Sequence, residues 1–415
     1  MTKMVVVRSF LMDKILNSSY GAIFGTYWVI YAVISSFSSV FMLAKGYTNS
    51  EIGITLATAN ILAVILQPLI ADFADRSKKL GVLGVTEIMT VCMMIFLVGM
   101  FAFGGGSLAL CAVFVLLIGF HTVLQPFFNS LAFRLEQCGV AINYGIARAV
   151  GSLAYSVFVA FFGTLVEKHG VDIMPVAGEI SCLLLIASLV FTGHYFKKAM
   201  RAGEGKSAAL KKDETDSEEI NLVQFMKRNR MFFVMSLGIV GLYFSNSVLN
   251  FYMAQIVDGV GGTTEDMGRI LGVMAFLEIP TMVFFKQLKN RFSCRTLLKV
   301  ASIGFTVKIA LCWLAQSVLM LYVAHIFQLV SFALFLPGMV YFTDEIMSRG
   351  EAIKGQALYT TMITIATVIS SLLGGIILDA AGPRMLTFIA TLVTAIGAAI
   401  IIFVIDKVKG GKQNV

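Results

Sequence analysis

Arginine inside an apolar run is the first feature of this sequence that calls for chemistry. Residues 143–156 read NYGIARAVGSLAYS, and Arg148 lies five residues beyond Asn143. A guanidinium keeps its charge and presents its donors as a rigid planar fork. Five residues is about 8 Å of helix, against a hydrocarbon half-thickness of about 15 Å. Snorkelling to the nearer face and a place in a binding site are therefore both open to Arg148. Gly145 and Gly151 permit close helix packing around it, and Tyr155 lies two turns along the same face. A fork of donors beside an aromatic ring suits a polyol.

Few other ionisable residues fall within apolar runs: Glu87, Glu179, Glu278 and Lys308, with Asp379 at the end of one. Charge is costly in lipid, so each is a functional candidate. Glu278 lies in FLEIPTM and Lys308 in FTVKIAL. A carboxylate and an ammonium whose separation changes between two states can take up and release a proton; the alternative is a static ion pair. Glu87 is either a reserve proton carrier or a helix–helix contact, and Glu179 reads as interfacial. His121, Gln125 and Asn129 are spaced i, i+4, i+8 and form one polar stripe beside Pro126. That stripe serves either a solute or a polar helix contact, with His121 read as structural. Tyr27, Trp28 and Tyr31 are secondary cavity candidates.

These side chains need helices in lipid to position them. The chain has 415 residues, 58% of them hydrophobic and 13% charged; soluble domains carry about 25% charged residues. Twelve apolar spans of membrane-crossing length are expected near 21–43, 52–71, 81–103, 108–131, 145–166, 174–196, 231–257, 268–287, 297–315, 317–342, 356–379 and 384–405. They must be helices, because backbone polar groups in lipid have to be satisfied internally. The fold expected is an all-α membrane protein of two six-helix halves, 1–196 and 231–415, joined by a charged cytoplasmic linker over 197–230.

If the N-terminus is inside, 26 of the 32 Lys and Arg residues fall in inside segments. This bias places both termini in the cytoplasm and accounts for the net charge of +8 without a nucleic-acid partner. Arg8, Asp13 and Lys14 argue against a cleavable leader. The six cysteines are scattered and form no CxxC or zinc spacing, so they read as packing thiols. No Ser/His/Asp constellation, metal spacing or nucleotide loop points to an enzyme. Regular short repeats are not evident.

Residues 50–79, SEIGITLATANILAVILQPLIADFADRSKK, resemble the major facilitator signature between the second and third helices. Asp75, Arg76, Lys78 and Lys79 match it; Ala71 replaces its usual first glycine, and its later glycine is absent. Gln67-Pro68-Leu69 together with GIARAVGSLAY resembles the oligosaccharide–proton symporter (lactose permease-like) branch. The resemblance implies two six-helix halves containing inverted repeats and alternating access to a midplane site. It implies sugar contacts from Arg148, ring stacking on Tyr155, and places near the sugar and proton sites for Glu278 and Lys308; with few other protonatable groups in the spans, proton coupling is expected to rest on Glu278, with Glu87 in reserve. It also implies a conformational latch at Asp75, Arg76 and Lys79. An anion at a helix C-terminal end is disfavoured by the helix dipole and needs a partner, which suits such a latch.

The departures are specific. Asn129 stands where the branch has a sugar-binding carboxylate, so galactoside specificity is not implied. Gln328 and Ser331 replace a His/Glu coupling pair, and Asn246 and Asn250 occupy the seventh span in place of acids. Asn129, Gln125, Gln328 and Asn246 join Arg148 and Tyr155 as expected substrate contacts. The expectation is a secondary transporter of the inner (cytoplasmic) membrane, moving a sugar or similar hydroxylated solute with a proton. A nucleoside–proton symporter and a multidrug or metabolite exporter are the alternatives. No cofactor is expected beyond the coupling proton; the partners expected are the solute and the lipid bilayer, with a monomer as the functional unit.

Overall fold

The computed structural model describes residues 2–77, 80–137, 140–203, 222–347 and 349–408. The described chain is helical, and the helices are long because the apolar runs are long. In order they are α1 (Thr2–Tyr31), α2 (Ser38–Ala44), α3 (Asn49–Arg76), α4 (Gly81–Ala102), α5 (Leu108–Gln137), α6 (Tyr144–His169) and α7 (Ile173–Gly203). Then come α8 (Leu222–Arg228), α9 (Arg230–Phe251), α10 (Met253–Asp258), α11 (Thr264–Arg291), α12 (Cys294–Leu314), α13 (Val318–Ile326), α14 (Phe332–Ile346) and α15 (Arg349–Val404). A π-helical turn at Ala32–Ser36 joins α1 to α2, and a 3-10 turn at Phe327–Val330 joins α13 towards α14.

Eleven helices among the described residues are long and apolar enough to cross a membrane. The twelve expected spans differ from that number at α15. Its 56 residues would reach about 84 Å if straight, far beyond about 30 Å of hydrocarbon. Gly382, at φ 75° and ψ 178°, breaks it before Pro383, leaving one span on either side as the sequence predicts. That backbone region is open essentially to glycine alone. Gly382→Ala is expected to cost about 1–3 kcal/mol, read as a lowered unfolding midpoint in detergent.

Two compact units emerge. The first comprises Met1–Gly46, Thr58–Val159 and Lys168–Asp213; the second comprises Tyr47–Ala57, Ala160–Glu167 and Glu214–Val415. Helices α3 and α6 therefore each pass from one unit to the other. In the first, α1 packs on α7, and α4 on α5 and α7. In the second, α9 packs along α15, where a methyl at Gly241 would stand 2.9 Å from the Gly397 Cα. Small residues at such crossings let backbones approach where lipid offers no hydrophobic drive. The core of the second unit gathers Phe225, Phe232, Tyr243, Phe305 and Phe335. Of the segment 197–230, residues 204–221 lie outside the described residues; α7 reaches Gly203, and α8 buries Phe225.

Large apolar side chains such as Ile95, Phe161 and Phe403 stay exposed, as lipid-facing positions do. Hydroxyls inside the helices are satisfied locally: Thr90, Ser236, Ser302 and Thr343 each donate to the carbonyl four residues earlier.

Candidate functional site

Two polar clusters lie inside apolar surroundings, one in each unit. In the first unit, α6 carries Arg148 one turn from its start and Tyr155 two turns further. The Arg148 guanidinium lies over the Trp28 ring of α1, 4.4 Å from its centroid, and its Nη1 donates to the Ser152 Oγ at 3.3 Å. Cation–π contact of this kind contributes about 0.5–2 kcal/mol and holds the fork flat. Gly151 makes the room: a methyl there would meet the Trp28 Cδ1 at 2.6 Å. Gly145 has no comparable neighbour, so only one of the two expected glycines serves close packing.

Tyr155 is buried, and its hydroxyl shares a 2.9 Å hydrogen bond with the Ser36 Oγ. Ser36 ends the π-helical turn, whose extra residue re-aims the side chains that follow; such turns recur at functional sites. Trp28 meets Tyr31 edge-on at 5.2 Å, and its buried Nε1 has no hydrogen-bond partner. The cluster thus offers a flat cation, an indole face and an unpartnered N–H donor.

The polar stripe on α5 divides. His121 stacks on Tyr27 at 4.2 Å and its Nε2 donates to the Tyr27 carbonyl at 3.1 Å, tying α5 to α1. Asn129 accepts from the Tyr144 hydroxyl at 3.1 Å, one turn before Arg148. Gln125 is half-buried between them.

The second cluster is a chain of three side chains in the second unit. Lys308 on α12 is fully buried, and its Nζ donates to the Gln328 Oε1 at 2.7 Å. The Gln328 Nε2 in turn donates to the Glu278 Oε1 on α11 at 2.8 Å. One amide therefore bridges a cation and a carboxylate. Gln328 sits in the 3-10 turn at Phe327–Val330, where the helical ladder is broken. Thr281 satisfies part of that break by donating to the Leu329 carbonyl at 2.9 Å. His325 is buried beside this turn, its Nδ1 donating to the Leu321 carbonyl at 2.7 Å and its Nε2 unpartnered. Asn246 is half-buried on α9, where its carbonyl accepts from Asn250.

Glu87 is half-buried on α4. Asp75 is the penultimate residue of α3, whose end at Arg76 is the C-terminal position the sequence suggested; its side chain and Lys79 lie outside the described residues. Arg76 pairs with Asp72 one turn back at 2.8 Å. Trp28, Ser36 and Ser152 are the cluster members that the sequence did not single out for Arg148 and Tyr155. The aromatic run Tyr27, Trp28, Tyr31 was the available signal for the first.

Comparison with known proteins agrees with this architecture. The chain is 14% identical to the solved nucleoside transporter NupG, with TM-score 0.75 over 94% of this chain and 99% of that one. It matches a bacterial homologue of the human lysosomal transporter Spinster, solved inward-facing and unoccupied, at TM-score 0.63 and 14% identity, covering 96% and 98%. Among curated proteins, it is 21% identical to the transporter YwbF of Bacillus subtilis (strain 168), over 80% of this chain and 79% of that protein. It is also 29% identical to a protein of Deinococcus radiodurans whose name assigns it to sugar efflux, but that match spans only 30% of this chain and 31% of the relative. The MFS_1 like family matches residues 20–390, and the chain, a multi-pass transporter of the major facilitator fold, belongs to it.

Proposed function

We propose that the chain moves a sugar or similar hydroxylated ring solute across the cytoplasmic membrane together with a proton, by alternating access and with both termini cytoplasmic. The observation that carries this reading is the Arg148–Trp28–Tyr155 set. A flat fork offers paired donors to vicinal hydroxyls, and aromatic faces receive the apolar face of a sugar ring. The Lys308–Gln328–Glu278 chain is the proposed coupling element, because loading a proton on Glu278 alters the charge that the bridging amide faces.

The test is a panel of sugars and nucleosides on the protein in proteoliposomes, scored for uptake and for substrate-driven proton movement. Sugar-driven alkalinisation of the source compartment supports the reading. Uptake of nucleosides alone moves the substrate assignment to the other ring-bearing polyol. No uptake and no proton movement with any member overturns it. A second reading, proton-exchanging sugar efflux, is favoured by the name of the Deinococcus radiodurans relative; there the proton moves opposite to the sugar.

A further inference from the structure

Among the described residues, Arg148 is a cation without a countercharge. It takes part in none of the described ion pairs, and its two contacts, the Trp28 ring and the Ser152 Oγ, are neutral. The helices that build its cluster carry one acid each, and each acid is remote. On α1 it is Asp13, fifteen residues before Trp28. On α5 it is Glu136, exposed and seven residues past Asn129. On α6 it is Glu167, nineteen residues past Arg148. Those offsets are about 22, 10 and 28 Å of helix, against about 4 Å for an ion pair. Glu87 and Glu179 belong to α4 and α7, which supply none of the described contacts of Arg148. A charge set among apolar helices calls for an opposite charge.

The hydrogen-bonding groups are unbalanced in the same direction. The buried Trp28 Nε1 has no acceptor. Arg148 offers only donors, and its described hydrogen bond engages Nη1 alone, on Ser152. Asn129 has its Oδ1 occupied by the Tyr144 hydroxyl, which leaves its Nδ2 donors over. Gln125, half-buried on the same stripe, is the member able both to donate and to accept. A ligand that satisfies these groups has to bring acceptor oxygens, because buried donors left unmet are costly. Sugar hydroxyls accept, but each also needs an acceptor for its own O–H. A carboxylate only accepts, and it meets a guanidinium through two parallel bonds.

We propose that the solute brings the missing countercharge: it is a hydroxylated ring bearing one carboxylate, a sugar acid of the uronate class, and that carboxylate pairs with the Arg148 fork beside Trp28. The inference rests on the assignment of Arg148, Trp28 and Tyr155 to the solute site and narrows the solute within it. Asn129 is the position that decides the charge. Its partner Tyr144 lies one turn before Arg148 on α6, so an acid at 129 would offer the guanidinium a countercharge from the protein itself.

Binding to the purified full chain at neutral pH tests it. The probes are glucuronate, galacturonate and mannuronate, each beside its uncharged methyl ester and its parent hexose. The acid should bind about tenfold tighter than its ester, the difference between charge-assisted and neutral hydrogen bonds. Asn129→Asp should bring the two within about twofold, by weakening the acid through like-charge repulsion. Arg148→Gln, which keeps donors and removes the charge, should do the same and serves where Asn129→Asp lowers the unfolding midpoint. Lys45→Ala removes a positive charge from the Lys45–Asp172 pair elsewhere in the first unit and should leave the acid-to-ester ratio unchanged. Esters or hexoses that bind as tightly as the acids overturn the inference and leave the solute site standing. An acid preference that survives Arg148→Gln also overturns it, since the carboxylate then sits elsewhere. No binding by any member, acid or neutral, overturns the sugar-site assignment together with the inference.

Discussion

Arg148→Lys is expected to leave the protein folded and to weaken solute binding about 100-fold. Arg148 is half-buried, and its described hydrogen bond is one to Ser152 on its own helix, so little of the packing rests on its charge. Its shape is another matter. The guanidinium lies flat on Trp28 at 4.4 Å, with Nη1 on Ser152, which leaves the rest of the fork free to meet a ligand. An ammonium is a compact point charge that neither stacks in this way nor offers two parallel donors. Losing one of two charge-assisted hydrogen bonds and the stacked geometry removes about 2–3 kcal/mol, which is the stated 100-fold. The measurement is the Kd of the first solute that scores in uptake, read beside the unfolding midpoint of the unliganded variant. Unchanged affinity would remove Arg148 from the site; a collapse of the midpoint would make it structural.

The helical spans were legible because lipid imposes a length and an apolar composition on each, and the break at Gly382 falls in the gap between the expected spans 356–379 and 384–405. Arg148 and Tyr155 were legible as neighbours on one face, since helical spacing reports same-helix contacts. That spacing says nothing of contacts between helices, so the Trp28 ring beneath Arg148, on another helix, could not be read from it. Ser36 was hidden for a different reason. It reaches Tyr155 through a π-helical turn in the run AVISS, which contains neither proline nor glycine to signal a distortion. The 3-10 turn that carries Gln328 is equally silent, its sequence FQLV being compatible with regular helix.

Lys308 and Glu278 are expected to be energetically coupled, so that removing either one alone is worse than removing both. Lys308→Met leaves the Glu278 carboxylate buried without its distant countercharge and strands the Gln328 Oε1, which now accepts from the Lys308 Nζ at 2.7 Å. Breaking one member of a buried charge pair costs about 3–5 kcal/mol. Glu278→Gln alone keeps an oxygen for the Gln328 Nε2, now 2.8 Å from Glu278, but leaves the ammonium without its carboxylate. The double substitution removes both charges and should recover all but about 1–2 kcal/mol, the residue being the stranded amide oxygen. Denaturation of the four proteins in detergent closes the cycle, with a coupling energy of about 2 kcal/mol or more. Strict additivity of the two single changes would mean that the Gln328 bridge carries no coupling between the charges. Transport separates a coupling role from a merely structural one. If the chain loads the proton, the double variant still exchanges labelled solute down its gradient yet no longer accumulates it against one when a proton gradient is imposed. Accumulation that survives in the stable double variant would place the proton elsewhere, and the half-buried Glu87 on α4 is then the carboxylate to replace next.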